Sequence, residues 1–322
     1  MATGSVRRAV PKTAVTPGRR ALVLGAGLAA AALAAGCSSG ASAPAAAPGT
    51  AAPTRTLTVV ASTNVWGDVV SKIAGPGVQV RSIIDDPNAD PHSYESTPSD
   101  AAAISSADVV VYNGGGYDDF VTKALDADPA AKSKAIAAFD LRSNPGDENE
   151  HVWFDTAAVD GVTRQVAQRL GQADPAQAEQ INQRASTFVG QVDQLGQKLA
   201  AIGQAKPGLR AAATEPVPHY LEGEAGVADV TPEAFTEAIE EETDPPAGAV
   251  AETTALVANR GINVLFFNPQ TESPVTEELR TAAQAANVPI IDVAETLPPG
   301  KDYLSWVDGY RSSIAAAVGA PQ

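Results

Sequence analysis

The chain has 322 residues, 44% of them hydrophobic, with 22 Lys plus Arg against 38 Asp plus Glu, three His and one Cys. Such a length can bury a large core, which excludes a disordered tail protein or a disulfide-stapled miniprotein, and one Cys excludes an internal disulfide or a thiolate metal cluster. A formal charge of −16 argues against a nucleic-acid partner, because phosphate binding needs a Lys/Arg-rich face.

Residues 1–36 hold Arg7, Arg8, Lys12, Arg19 and Arg20 and no acid, and an apolar, Ala-rich run occupies 21–35. A basic segment followed by an apolar run too short to span a bilayer reads as a secretory signal peptide, with Arg19-Arg20 read as ordinary n-region content in preference to the alternative of a twin-arginine signal. Leu33-Ala34-Ala35-Gly36-Cys37 then resembles a bacterial lipobox, although Leu33 sits one place farther upstream than in the commonest form. Cys37 is therefore the expected lipidation site and 37–55 a Ser/Gly/Ala/Pro tether, anchoring the protein by lipid at the outer face of the cell membrane. Without the signal the chain carries 17 basic and 38 acidic residues, a net charge of −21.

After the tether, β-branched runs at 57–62 (LTVVAS), 78–84 (VQVRSII) and 107–112 (ADVVVY) read as buried parallel strands separated by helices. Thr97 as N-cap, Pro98 at N1 and Asp100 completing a capping box mark a helix start. Asp174 and Pro175 open the clearest helix, whose Ile181, Ala185, Phe188, Val192, Leu195, Leu199 and Ile202 form one apolar stripe, with Gly203 and Pro207 ending it. Strand-like runs resume at 209–214 (LRAAAT), 262–267 (INVLFF) and 288–293 (VPIIDV). The expected architecture is α/β: an N-terminal lobe at 56–173, a linker helix at 174–206 and a C-terminal lobe at 207–322, each lobe a parallel sheet flanked by helices. A long stiff connection predicts small lobe motions.

Four places put a metal-capable side chain where a strand ends or a loop begins: Asp90-Pro91-His92-Ser93-Tyr94-Glu95, Glu150-His151-Val152-Trp153-Phe154-Asp155, Thr214-Glu215-Pro216 and Ile291-Asp292-Val293. Ligands of open α/β sheets bind outside the carboxyl ends of the strands, so two lobes facing one cleft would gather all four. Two imidazoles and two carboxylates around a divalent cation make a neutral site of intermediate hardness. Each residue alone has a blander explanation, a solvated loop histidine or, at Asp292, a cap.

The stretch 61–68 (ASTNVWGD), DPHSYE with Thr97-Pro98-Ser99-Asp100, Ala107-Asp108 to Tyr112-Asn113-Gly114, and His151-Val152-Trp153 together resemble the zinc- and manganese-binding solute receptors of ABC importers. The resemblance covers roughly 56–318, and Asn268-Pro269-Gln270 to Thr296-Leu297-Pro298 is similar to that family's C-terminal lobe. It implies two α/β lobes joined by a rigid helix, with His92, His151, Glu215 and Asp292 as ligands of a transported Mn2+ or Zn2+. It also implies an ABC permease and its ATPase as partners, a monomer, and no enzymatic activity. His219, four residues after Glu215, is left as an additional ligand, a partner orienting a carboxylate, or a surface residue. The donor types lean toward manganese, whereas the general affinity order places zinc above it. A zinc hydrolase would need an open coordination position and a separate base, and no HExxH-type helix occurs. An adhesion role for the lipoprotein would need an exposed apolar surface, of which the composition gives no sign.

Overall fold

The computed structural model describes residues 55–87, 89 and 91–321. The signal segment, Cys37 and all but the last residue of the tether lie outside them. The described chain runs β1 (Leu57–Thr63), α1 (Asn64–Ala74), β2 (Val78–Ile84), α2 (Pro98–Ser106), β3 (Val109–Tyr112), α3 (Asp119–Ala127), α4 (Pro129–Lys132), β4 (Ala135–Ala137), α5 (Thr156–Ala173) and α6 (Ala178–Ala205). It continues with β5 (Leu209–Ala213), α7 (His219–Ala225), β6 (Val227–Asp229), α8 (Glu233–Glu240), α9 (Ala247–Ala258), β7 (Val264–Phe267), α10 (Pro274–Ala286), β8 (Ile290–Asp292) and α11 (Tyr303–Val318). Among the described residues no helix is long and apolar enough to cross a membrane.

The strands form two four-stranded sheets, ordered β2-β1-β3-β4 and β6-β5-β7-β8, in which every pair is parallel. In each, the first strand lies between the second and the third, so the connections diverge at its carboxyl end and open a crevice there. Val59 registers with Val80 and Val109 in one sheet, and Ala213 with Phe266 in the other. All six predicted strands are present. The edge strands β4 and β6 escaped prediction because three residues each carry too little pattern. Strand β2, expected to be buried, is an edge strand on which only Ile84 is buried. The helix predicted at Thr97 forms as expected, with a reciprocal capping box between Thr97 and Asp100.

Every residue of the predicted stripe on α6 is buried. Its 28 residues extend about 42 Å. The helix starts later than predicted, because Asp174 instead ends α5 and accepts from the Ala176 N–H in the intervening turn. Gly203 does not end it either. A Cβ there would sit 2.8 Å from the Ala225 carbonyl oxygen and 2.9 Å from Gly226 Cα, so glycine permits close packing of α6 on the turn after α7.

The long helix is not the sole connection between the sheets. One apolar core includes Val59 and Ala61 of β1, Ala211 and Ala213 of β5, Phe188 and Leu199 of α6, and Trp306 and Ile314 of α11. Polar bonds reinforce it along a seam between α1 and the segment leading into α11. Asn64 exchanges two bonds with the Leu297 backbone (3.0 and 2.9 Å), Lys72 Nζ donates to Asp302 (2.7 Å), and Asp68 accepts from the Tyr303 N–H (2.8 Å). The buried Tyr303 hydroxyl donates to the Trp153 carbonyl at 2.8 Å.

Candidate metal centre

Loops leaving the carboxyl ends of the strands supply the polar residues. After β3, Asn113 is fully buried: its Oδ1 accepts from Trp66 Nε1, and its Nδ2 donates to the Glu150 carbonyl at 2.7 Å. The next three glycines all have positive φ, and a Cβ on Gly115 would lie 2.6 Å from the Phe139 ring. Only glycine suits that turn, which lets the Asp118 carboxylate accept from the Asn113 and Gly114 N–H groups. Burial, opposed by those bonds, pushes Asp118 up to about 6.

Anchoring the Glu150 backbone places His151, which is 1% exposed. Its Nδ1 lies 3.1 Å from Asn149 Oδ1, while Asn149 Nδ2 donates to the Pro216 carbonyl. That second bond fixes which end of the amide faces the ring. Nδ1 must therefore carry the proton, which leaves the lone pair on Nε2 available to a metal. Nε2 has no hydrogen-bond partner and faces Glu240 Oε1 at 3.5 Å. Burial, aided by His92 and His219, pushes His151 well below the usual histidine range and keeps it neutral.

His92 lies in the loop after β2, where contacts from the other sheet hold the backbone. Gln270 Nε2 donates to the Ala89 carbonyl and the Thr296 hydroxyl to the Pro87 carbonyl, both at 2.9 Å. The His92 ring has Nδ1 3.6 Å from Glu150 Oε1 and Nε2 3.6 Å from Glu295 Oε2. Tyr117 packs edge-on against it at 5.0 Å, and the His92 and His151 ring centres are 6.3 Å apart. Two groups of donor atoms result, each lying within 4.8 Å of one another: His92 with His151 and Glu295, and His92 with Glu150 and Glu240.

The carboxylates differ from the predicted set. Asp292, the last residue of β8, is 55% exposed and paired with Arg280, so it belongs to neither group. As the end of a short edge strand it turns outward, and the chain must run three residues further to bring Glu295 inward, where it is 1% exposed. Glu215 is buried at the end of β5 but also outside both groups. It accepts a bond from Asn268 Nδ2, which also donates to Glu295 Oε1 at 3.0 Å, so one amide holds both carboxylates. His219 is 46% exposed, and its Nε2 meets Asp147 Oδ2 at 2.7 Å, fastening α7 to the loop before His151.

Sequence reasoning therefore missed Glu295, Glu150 and Glu240 as possible donors, and Asn149, Asn268 and Gln270 as the side chains that orient the site. Position at strand ends could have suggested Asn268, Gln270 and Glu295. Glu240, at the end of α8, carried no such signal. Burial first, then Asp118 and Asp119, pushes Glu150 up to about 7, and burial with Glu150 and Glu215 pushes Glu240 up to about 8. Neither is paired with Lys or Arg among the described residues. Imidazole lone pairs with clustered carboxylates can coordinate a divalent cation of borderline hardness.

The chain belongs to the family described as zinc-uptake complex component A, periplasmic, whose model matches residues 59–317. Among curated relatives, it is 29% identical over 152 residues to the metal ABC transporter substrate-binding lipoprotein ScbA of Streptococcus cristatus, a match covering 43% of this chain and 49% of that protein. It is 31% identical over 143 residues to the manganese-binding lipoprotein MntA of Halalkalibacterium halodurans, covering 43% and 47%. The chain thus spans about half the length of the curated relatives it matches. Its fold is similar to that of the periplasmic zinc binding protein TroA from Treponema pallidum (TM-score 0.68, 21% identity, 83% of this chain and 100% of that chain). It is similar also to FpvC from Pseudomonas aeruginosa in complex with Mn2+ (TM-score 0.66, 21% identity, 82% and 99%).

Proposed function

We propose that this protein is an extracytoplasmic receptor that captures a divalent transition metal, Mn2+ or Zn2+, and delivers it to an ABC permease driven by its ATPase. The observation that carries this reading is the buried His151 imidazole, whose Nε2 has no hydrogen-bond partner and lies with His92 and Glu295 in one donor group. His92, His151 and Glu295 are the proposed ligands, and Glu215, outside that donor group but held to Glu295 by the Asn268 amide, is the donor that would move in to complete the set. Asp292 is not retained, and His219 acts through Asp147 rather than on the metal. The cation is cargo and undergoes no covalent change. Lipidation at Cys37 would keep the monomeric receptor at the outer face of the membrane, in keeping with its relatives' naming as lipoproteins. The shared core and α6 support release by local movement of the His151 and Glu215 loops rather than wide opening. The test is metal content after expression in metal-limited medium, followed by competition between Mn2+ and Zn2+. One equivalent of divalent metal is expected, and a protein that takes up neither ion would refute the assignment.

A further inference from the structure

Beside the metal centre lies a cavity of about 370 Å3, lined by seven carboxylates and, among the described residues, by no Lys or Arg. Its outer wall carries the exposed Glu148, Glu233 and Glu237. Deeper in are Glu150 and Glu240, whose side chains are each 21% exposed. Both are presented by anchored backbone. The Glu150 carbonyl is held by Asn113, and Glu240 ends α8, whose Phe235 and Ile239 are buried in an apolar core.

Two observations connect this pair to the ligand set. His92 offers one ring nitrogen to each side, Nδ1 to Glu150 and Nε2 to Glu295, at 3.6 Å in both cases. His151 Nε2, deeply buried and without a hydrogen-bond partner, faces Glu240 Oε1 at 3.5 Å. A hydrated divalent cation exchanges water for protein donors a few at a time. An acid-lined cleft raises its local concentration, and a donor group sharing one imidazole with the inner set gives it a place to shed water partway.

We propose that Glu150 and Glu240, with Nδ1 of His92, form an outer cation position through which the metal passes from the cavity to the inner ligands. This rests on the cation-binding reading above and adds a route to it. The metal is first held at one edge of the His92 ring and then transferred to the other, where His151 and Glu295 complete its coordination. The outer pair governs the rate of capture, and the inner set governs retention.

The test is stopped-flow mixing of the full chain with Mn2+ alone and Zn2+ alone, followed by tryptophan emission, since the Trp153 ring lies 5.1 Å from His151. The E150Q/E240Q variant is expected to lower the association rate constant about tenfold or more while still taking up one equivalent at saturation. E233Q/E237Q removes the same charge from the outer wall and is expected to lower it only about two- to threefold. Equal slowing in both double variants would reduce the outer position to a diffuse field and overturn the proposal, as would an unchanged rate in E150Q/E240Q. Each change is isosteric, and the single variants E150Q and E240Q, each expected to show part of the loss, provide the reading if the double variant does not fold. A wild-type chain that binds neither ion would overturn the receptor function itself, a result distinct from either rate outcome.

Discussion

The candidate metal centre and the α1–α11 seam both join the two sheets through acidic side chains, but the charge is balanced differently. In the seam, Asp302 accepts from Lys72 and the Ser305 N–H, and these bonds hold its carboxyl well below the usual range. Asp68 accepts from the Tyr303 N–H and lies beside the same lysine. In the centre, Glu150 is displaced upward by burial and by Asp118 and Asp119, and Glu240 by burial and by Glu150 and Glu215. The seam carries its own counter-ion in Lys72, whereas neither Glu150 nor Glu240 is paired with Lys or Arg among the described residues, as the proposed cation capture requires.

The largest effect expected to break this contrast comes from the proposed inner ligands. His151→Ala or Glu295→Gln should weaken metal binding more than about 100-fold, since even residues that only orient ligands cost 10–100-fold. The apo fold should survive, as judged by circular dichroism, and Asp292→Ala should leave affinity within about twofold. Equal losses in all three variants would mean that the ligand set is misassigned. Next in size are the orienting amides: Asn268→Ala and Asn149→Ala should each lower affinity by about 10- to 100-fold in a competition titration with a chelator.

Asp302 of the seam and the Glu150–Glu240 pair should also respond oppositely to pH. Glu150 and Glu240 titrate in the folded apo protein near 7 and 8 against an ordinary value of 4.5, so the folded state holds more protons than the unfolded state between these limits. Their contribution to apo stability therefore falls as pH rises from about 5 to 8. Bound metal should reverse this, making the gain in Tm on loading larger at pH 8 than at pH 6. Asp302 has a lowered carboxyl pKa, so its stabilisation is fully present above the ordinary value of 3.8 and is lost as pH falls below it. Thermal melts of apo and loaded protein from pH 3 to 8 separate the two, and a loading gain independent of pH would count against cation capture at the centre. The smallest effect is expected at the seam: Tyr303→Phe should cost about 1 kcal/mol of stability in denaturant unfolding and leave metal affinity unchanged.

The strand-rich runs, the Thr97 capping box and the α6 stripe were legible because they follow local rules of period and capping. His92 and His151 stood out because the chain offers only three histidines. Strand-end position pointed to Asp292 but does not say which way a side chain turns once a short edge strand ends, and Asp292 turns outward while Glu295 is buried. Strand-end position could place Asn268 near the site, but the roles of Asn268 and Asn149 in orienting it were not legible, since their partners lie 53 residues away at Glu215 and 67 away at Pro216.

By itself the sequence determined the alternation of strands and helices, the long helix and its buried face, and the supply of imidazoles at loop positions, all set by residues close together in the chain. Tertiary structure alone decided which carboxylates join those imidazoles, which ring nitrogen bears the lone pair, and that the sheets share one core. Those outcomes depend on desolvation and on hydrogen bonds between loops from different sheets, which exist only once the chain has closed on itself.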